Sequence, residues 1–237
     1  MPFDYFRSSI GKKQIVAVTG LMLILFLIGH LAGNLLIYLG PEVFNSYSKH
    51  LTDLRPGLYL VEYGLLVIFV IHMWVTTLVV LENIQARQGL ARYAVDKAVG
   101  KRSWATRLMP YTGTYILFFV IWHLLDFTFS SHEGARSFVL IKNYSDFATS
   151  YHFKSLGLYG VVWNSFADPV HSLLYIIAMM CIGLHLSHGV ESFIQTFGFN
   201  HPKYTPMIKK ISEWFGLFIA LGYSSIPVYV LINNYLH

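Results

Sequence analysis

Four histidines lie deep inside apolar stretches of this 237-residue chain. His30, His72, His123 and His185 fall one to each of the first four of five long apolar stretches, and His188 follows His185 by about one helical turn. A strongly polar side chain is costly in hydrocarbon, and by default it marks a functional site. An imidazole in such a position can bind a metal, relay protons, or hydrogen-bond to a neighbouring helix.

The apolar stretches predict membrane-spanning helices. The chain is 55% hydrophobic and 12% charged, whereas roughly 25% of the residues in an average soluble domain are charged. The stretches lack strand-like alternation, and each has the roughly 20 residues that a helix needs to cross the hydrocarbon core. The predicted spans are residues 15–39, 58–82, 110–129, 168–191 and 214–235. The predicted fold is therefore an all-α, integral membrane five-helix bundle that forms one domain over residues 1–237.

The basic residues predict the orientation of the bundle. Of the 17 Lys and Arg residues, twelve lie before the first span, between the second and third, or between the fourth and fifth. The positive-inside rule then places the N-terminus in the cytoplasm and the C-terminus outside. No basic stripe is interleaved with aromatics, which argues against a nucleic-acid partner. The longest connection, residues 130–167, is predicted to fold over the bundle as a cap.

The heights of the four histidines sort them into two pairs. At 1.5 Å of rise per residue from the cytoplasmic end, His30 and His123 lie about 22 and about 20 Å up their helices. His72 and His185 lie lower, at about 15 and about 9 Å. In an up-down-up-down bundle of the first four helices each pair comes from diagonal helices, so its members can face each other across the interior.

Facing imidazoles are typical of bis-histidine haem ligation. Two axial nitrogens must lie about 4 Å apart across the iron. The chain has no C-x-x-C-H motif, so the haems would be b-type. We therefore predict an outer haem held by His30 and His123 and an inner haem held by His72 and His185, stacked within the first four helices. The iron ligands would be those four histidines, with His188 and His171 as possible partners around them.

Other interpretations of the same residues stay open at this point. A single buried histidine often only hydrogen-bonds to a neighbouring helix, and a set of them could form a proton relay in a haem-free transporter. Gly29 and Gly33 beside His30, and Gly183 and Gly189 near His185, could leave room for a macrocycle, whereas the Gly29–Gly33 pair could instead be a plain helix-packing motif. The single cysteine, Cys181, excludes an iron–sulfur cluster held by this chain alone.

Several motifs along the chain form a recognisable set: Ser8-Ser9-Ile10-Gly11-Lys12-Lys13, Thr19-Gly20, His30-Leu31-Ala32-Gly33-Asn34, Glu62, His72, Trp122-His123 and the stretch from His185 to Phe197-Gly198. With these motifs the sequence resembles the cytochrome b membrane anchors of succinate dehydrogenase and fumarate reductase. The similarity is greatest to the single-chain, five-helix, two-haem b558 type and covers essentially the whole chain. The resemblance implies the same two histidine pairs and favours His185 over His188 as the fourth-helix ligand. Another respiratory oxidoreductase with a cytochrome b anchor is the alternative within this class.

The resemblance also implies partners and a location. The chain would anchor a flavoprotein subunit and an iron–sulfur subunit to the bacterial cytoplasmic membrane and exchange electrons with a quinone, by resemblance menaquinone. It would have no succinate chemistry of its own. The basic cytoplasmic residues Arg87, Arg92, Lys101, Arg102 and Arg107 would form the docking surface.

Quinone reduction also needs protons, so a polar side chain is expected near the quinone. Four residues predicted near the outer surface are candidates: Glu62, Tyr63, Asp53 and Asp126.

Overall fold

The computed structural model describes residues 2–88, 104–130, 135–145 and 148–236. Within these ranges five helices are long and apolar enough to cross a membrane: Ser9–Leu39, Gly57–Gln85, Arg107–Thr128, Pro169–Thr196 and Thr205–Tyr235. The prediction of five apolar spans is confirmed. The helices extend beyond most of the predicted boundaries because their polar end turns continue the helix outside the apolar stretch.

The described elements follow one another in a simple order. The helices are α1 (Pro2–Arg7), α2 (Ser9–Asn34), α3 (Pro41–Asp53), α4 (Gly57–Gln88), α5 (Trp104–His123), α6 (Gly157–Ala167), α7 (Pro169–Thr196) and α8 (Thr205–Leu236). A 3-10 turn, Leu35–Leu39, continues α2, and a π-helical turn, Leu124–Thr128, continues α5. Strands β1 (Phe138–Ser145) and β2 (Ala148–Ser155) precede α6.

The two strands depart from the all-α prediction. They pair antiparallel, with Phe138 opposite Ser155 and Ser145 opposite Ala148. Their sequences are rich in β-branched and aromatic residues, which favour extended backbone. The hydropathy pattern that predicts membrane helices gives no information about a connection outside the spans. This hairpin was therefore not predicted.

Local signals in the sequence explain where two of the long helices begin. Ser8 caps α2, since its side chain accepts a hydrogen bond from the Gly11 amide at 3.1 Å. Asp168 caps α7 in the same way through the Val170 amide at 2.9 Å, and Pro169 occupies the first turn, where its missing amide costs nothing. Both caps fix the helices that carry histidines.

Tight packing of α7 against α8 forms the core of the bundle. A Cβ atom at Gly183 would lie 2.7 Å from both the Gly216 carbonyl oxygen and the Ala220 Cβ. Ser212 bridges the same helices, donating to the Ser187 carbonyl at 2.6 Å and accepting from the Glu191 amide at 3.1 Å. Gly183 therefore allows α7 to pack closely on α8, whereas the sequence analysis had placed it beside a macrocycle.

The first four spans surround an open interior. Helix α2 packs against α4 on one side and α7 on the other, α5 packs against α7, and α4 and α5 touch only lightly. Around the ring the order is α4, α2, α7, α5, so α2 faces α5 and α4 faces α7 diagonally. We call the end where α2 begins the near end and the end where it finishes the far end. At the far end α6 is buried against α3, α7 and α8, so part of the predicted cap is built into the bundle.

The packing of α7 on α8 predicts a sharp difference between two glycines. Gly183→Ala should lower the free energy of unfolding by about 1–3 kcal/mol, because the new Cβ overlaps backbone atoms. Gly64→Ala is the matched control, since a Cβ there meets nothing within 4 Å. Thermal unfolding of the two variants in detergent tests this, and equal stability of both would show that α7 and α8 can separate without cost.

Candidate functional site

A large cavity lies between α2, α4, α5 and α7. Its volume is about 1990 Å³, roughly twice the upper end of the 300–1,000 Å³ that is typical of a small-molecule pocket. His30, His72, His123 and His185 all line it. The cavity is large enough for more than one sizeable group, and all four predicted ligands reach it.

His30 and His123 face each other near the far end of the cavity. Their ring centroids are 5.9 Å apart, with the ring planes at 84°. Two imidazoles on one iron would have ring centres about 6 Å apart, since each iron–nitrogen bond is about 2 Å. His123 Nδ1 is buried and has no hydrogen-bond partner among the described residues. The pair fits bis-histidine ligation without a large movement of either helix.

Aromatic side chains enclose this far pair. Phe26 stacks on His30 with centroids 5.2 Å apart, and Phe119 stacks on His123 at 5.8 Å. The ring centroid of Tyr223, on α8, lies 6.1 Å from that of His30. The π-helical turn begins at the residue after His123, and such turns often occur at functional sites.

His72 and His185 sit nearer the other end, each held by a neighbouring helix. Thr19 Oγ1 on α2 is 3.0 Å from His72 Nδ1, and a Cβ at Gly20 would lie 3.2 Å from His72 Cε1. On α5, Thr112 Oγ1 is 3.2 Å from His185 Nδ1. Gly113 is placed like Gly20, with its Cβ position 3.4 Å from His185 Cε1. Both rings line the same cavity.

The two histidine pairs therefore occupy different levels of the bundle. Thr19 and Thr112, which mark the near level, each precede the far-level histidine of their own helix by eleven residues. Eleven residues of α-helix correspond to about 16 Å. The described residues contain no group of three or more His, Cys, Asp or Glu side chains that could hold a bare metal ion. A haem needs only two protein ligands, and the donors present fit that requirement at both levels.

His188 lies one turn beyond His185 on the same helix and also lines the cavity. Its Nδ1 is 3.8 Å from the Glu191 carboxylate, which also accepts a hydrogen bond from Gln195 at 3.0 Å. His185 contacts Thr112 and Gly113 and lies near His72, whereas His188 faces an acidic group on its own helix. His185 is therefore held by a neighbouring helix, whereas His188 pairs with a residue of its own helix.

His171 and Asp126 belong to a polar cluster at the far end, outside the lining of the cavity. The Tyr175 hydroxyl donates to Asp126 Oδ2 at 2.9 Å, and His171 Nε2 lies 3.1 Å from the same oxygen. Arg136 Nη2 is 3.6 Å from Asp126 Oδ1 and donates to Ser165 Oγ at 3.1 Å. Asp126 is thus held by groups from two other parts of the chain, α7 and the segment that leads into β1.

Glu62 and Tyr63 line the far end of the cavity on α4. Glu62 forms an ion pair with Arg55 at 3.6 Å, and Arg55 also lies over the Tyr59 ring, 4.6 Å from its centroid. Tyr63 is 65% exposed. Asp53 lies exposed at the end of α3 and does not line the cavity. Of the four quinone candidates, the structure brings two to the cavity wall.

The basic docking surface can be placed only in part. Arg92, Lys101 and Arg102 lie outside the described residues, and Arg87 falls in α4. Arg107 begins the third membrane helix and lines the near end of the cavity. Among the described residues of this predicted surface, Arg107 therefore reaches the cavity.

The role of Thr112 and Gly113 was missed by the sequence analysis, which quoted Thr19-Gly20 only as part of a family motif. A signal was present: Thr-Gly, nine residues and then His occurs in both the first span, ending at His30, and the third, ending at His123. The same dipeptide supports a histidine of another helix in each case.

The chain is similar in sequence to a known protein. The chain is 27% identical over 201 residues to the succinate dehydrogenase cytochrome b558 subunit of Bacillus subtilis (strain 168). The aligned region covers 84% of this chain and 84% of that protein. No protein-family model and no solved structure matches the sequence. The resemblance that the motifs predicted is therefore confirmed, and over most of its length the chain is similar to a b558-type cytochrome b subunit of succinate dehydrogenase.

Proposed function

We propose that this chain is the di-haem cytochrome b anchor of a succinate:quinone oxidoreductase. The observation that carries the proposal is the arrangement of four histidines as two pairs, at two levels of one cavity inside a five-helix membrane bundle. His30 and His123 would hold one haem and His72 and His185 the other. When bound, the haems supply one-electron transfer between an iron–sulfur subunit and a membrane quinone.

The charge distribution supports an orientation for this transfer. With the near end in the cytoplasm, twelve of the 17 Lys and Arg residues are cytoplasmic and the C-terminus is outside. His72 and His185 are then the inner pair, closest to a flavoprotein and iron–sulfur partner that would dock on the basic near end. The chain would act as one domain, residues 1–237, in the bacterial cytoplasmic membrane.

The protein supplies position and burial to both pairs. Four helices fix the ligands, and the aromatic rings of Phe26 and Phe119 shield the far pair. Burial and hydrogen bonding around the ligands tune the potential at each level. The helix–helix contacts would therefore set the reduction potentials of the two haems as well as the fold.

Glu62 is the residue best placed to exchange protons with the quinone. It lines the far end of the cavity beside Tyr63 and forms an ion pair with Arg55 at 3.6 Å. The quinone, menaquinone by resemblance, would bind where α3 and α4 meet the cavity. Asp126 is engaged with Tyr175 and His171 and is a weaker candidate than Glu62.

The direct test is a haem count together with the identity of co-purifying subunits. We expect two non-covalent haems per chain by pyridine haemochrome, and a flavin-containing and an iron–sulfur subunit in the same complex. A chain free of haem would favour a proton-relay transporter. A nickel or molybdenum partner would favour the anchor of another respiratory oxidoreductase.

Single ligand substitutions should remove one haem at a time. His30→Ala or His123→Ala should abolish the far haem and leave the near one, because the two pairs lie at different levels. His72→Ala should do the reverse. Reduced-minus-oxidised spectra of the purified complex distinguish the two, and loss of both haems in every variant would contradict separate pairs.

His185 and His188 provide a matched comparison on one helix. His185→Ala should remove the near haem, whereas His188→Ala should keep two haems and change only their spectra or potential. The reason is that His185 rests against Thr112 and Gly113, while His188 faces Glu191. Two full haems in His185→Ala, with one lost in His188→Ala, would reverse the assignment.

Glu62→Gln should slow quinone turnover by at least about tenfold while haem content stays at two, since a positioned acid–base group contributes this much or more. Asp53→Asn is the control, because Asp53 is a carboxylate of the same predicted surface that does not line the cavity. Succinate:quinone reductase assays on purified complex measure the effect. Equal turnover in the two variants would remove Glu62 from the quinone site.

A further inference from the structure

The hydroxyl groups of Thr19 and Thr112 are placed to determine which ring nitrogen of each near-level histidine carries the proton. We infer that each threonine accepts a hydrogen bond from the Nδ1–H of its histidine and so fixes the tautomer in which Nε2 carries the lone pair. Thr19 does this for His72 and Thr112 for His185. The inference rests on the proposed function, since it makes the two threonines positioning residues for a haem iron.

The hydrogen-bond partners of Thr19 determine the direction of its bond to His72. A threonine hydroxyl has a single hydrogen to donate. Thr19 Oγ1 lies 2.7 Å from the Ile15 carbonyl oxygen and 3.2 Å from that of Val16. Carbonyl oxygens only accept, so the hydroxyl hydrogen points to the helix backbone. The oxygen is then left to accept from His72 Nδ1 at 3.0 Å.

The Thr19 oxygen also determines which ring nitrogen of His72 carries the proton. An unprotonated Nδ1 would turn its lone pair towards that oxygen at 3.0 Å, whereas Nδ1–H is attracted to it. Nε2 is consequently the nitrogen that remains available to bind iron.

Thr112 repeats this arrangement on α5. Its Oγ1 lies 3.1 Å from the Leu108 carbonyl oxygen and 3.2 Å from that of Met109, and 3.2 Å from His185 Nδ1. The hydroxyl again donates its hydrogen bond to the helix backbone, and its oxygen is left to accept from the ring. Two independent sites thus use one geometry.

The glycine after each threonine allows the ring to approach the helix. A Cβ at Gly20 would meet His72 Cε1 at 3.2 Å, and one at Gly113 would meet His185 Cε1 at 3.4 Å. An added methyl group would press on the His72 ring at Gly20 and would touch the His185 ring at Gly113. The Thr-Gly dipeptide therefore supplies an acceptor and a flat surface at the same place.

The far level lacks such a support on one side, because His123 Nδ1 has no hydrogen-bond partner among the described residues. When Nδ1–H donates a hydrogen bond, the imidazole becomes a more basic ligand. A more basic ligand stabilises ferric over ferrous iron and lowers the reduction potential. The threonine hydroxyls should therefore lower the potential of the near haem and leave the far haem unaffected.

The test removes each hydroxyl and titrates both haems in the intact, membrane-extracted complex. Thr19→Val and Thr112→Val keep the side-chain shape, and Thr19→Ser and Thr112→Ser keep the hydroxyl. Thr77→Val and Thr114→Val are matched controls, since these exposed threonines bond to the helix backbone but to no histidine that the structure describes. Readouts are the potential of each haem and its retention during dialysis against apomyoglobin.

We expect the valine variants to raise the near-haem potential and to weaken its retention by roughly tenfold or more. The far haem serves as an internal standard and should not move. The serine variants should return the near haem to its original potential, and the two controls should match the unmodified complex.

Three results would overturn the inference: a near-haem potential in the valine variants equal to that of the controls, a shift that serine does not reverse, or an equal shift of both haems. If a valine variant fails to accumulate, the alanine variant is measured in its place with the same criteria. An unmodified complex without haem would refute the proposed function itself, which separates that failure from this one.

Discussion

Every buried imidazole in this bundle has two nitrogen atoms that need partners away from water, and much of the structure follows from that requirement. At the near level one nitrogen of each ring is taken by a threonine hydroxyl on the neighbouring helix. The other nitrogen is left for the cavity. Helices α2 and α5 must therefore lie close to α4 and α7 at Gly20 and Gly113, and the diagonal arrangement keeps the interior open.

The bundle combines a rigid half with an open half. Helices α7 and α8 are joined by the Gly183 and Gly216 contact and by Ser212, so α7 presents His185 from a fixed surface. By contrast, α4 packs chiefly on α2, and its apolar residues face lipid on one side and the cavity on the other. Helix α8 has no intramembrane histidine, and its contribution is to support α7 and to place Tyr223 beside His30.

Much of the transmembrane part could be predicted from the sequence. Hydropathy locates helices in lipid because the backbone has no alternative there, and a fixed rise per residue places His30 and His123 at one height. The hairpin and the burial of α6 could not be predicted, since connections outside the membrane carry no such constraint. Asp126 looked accessible in the sequence, but its contact with Tyr175, 49 residues away, depends on the rotation of two helices. The support of His185 by Thr112 depends on helix rotation in the same way.

The repeated nine-residue separation between Gly20 and His30, and between Gly113 and His123, limits how these two helices can change. Substitutions within either separating segment alter lipid contact or packing while leaving the register intact. A single inserted or deleted residue would turn one end about 100° around the helix axis relative to the other. The support for one level or the ligand of the other would then point away from the interior, so the length of each segment is fixed more strictly than its composition.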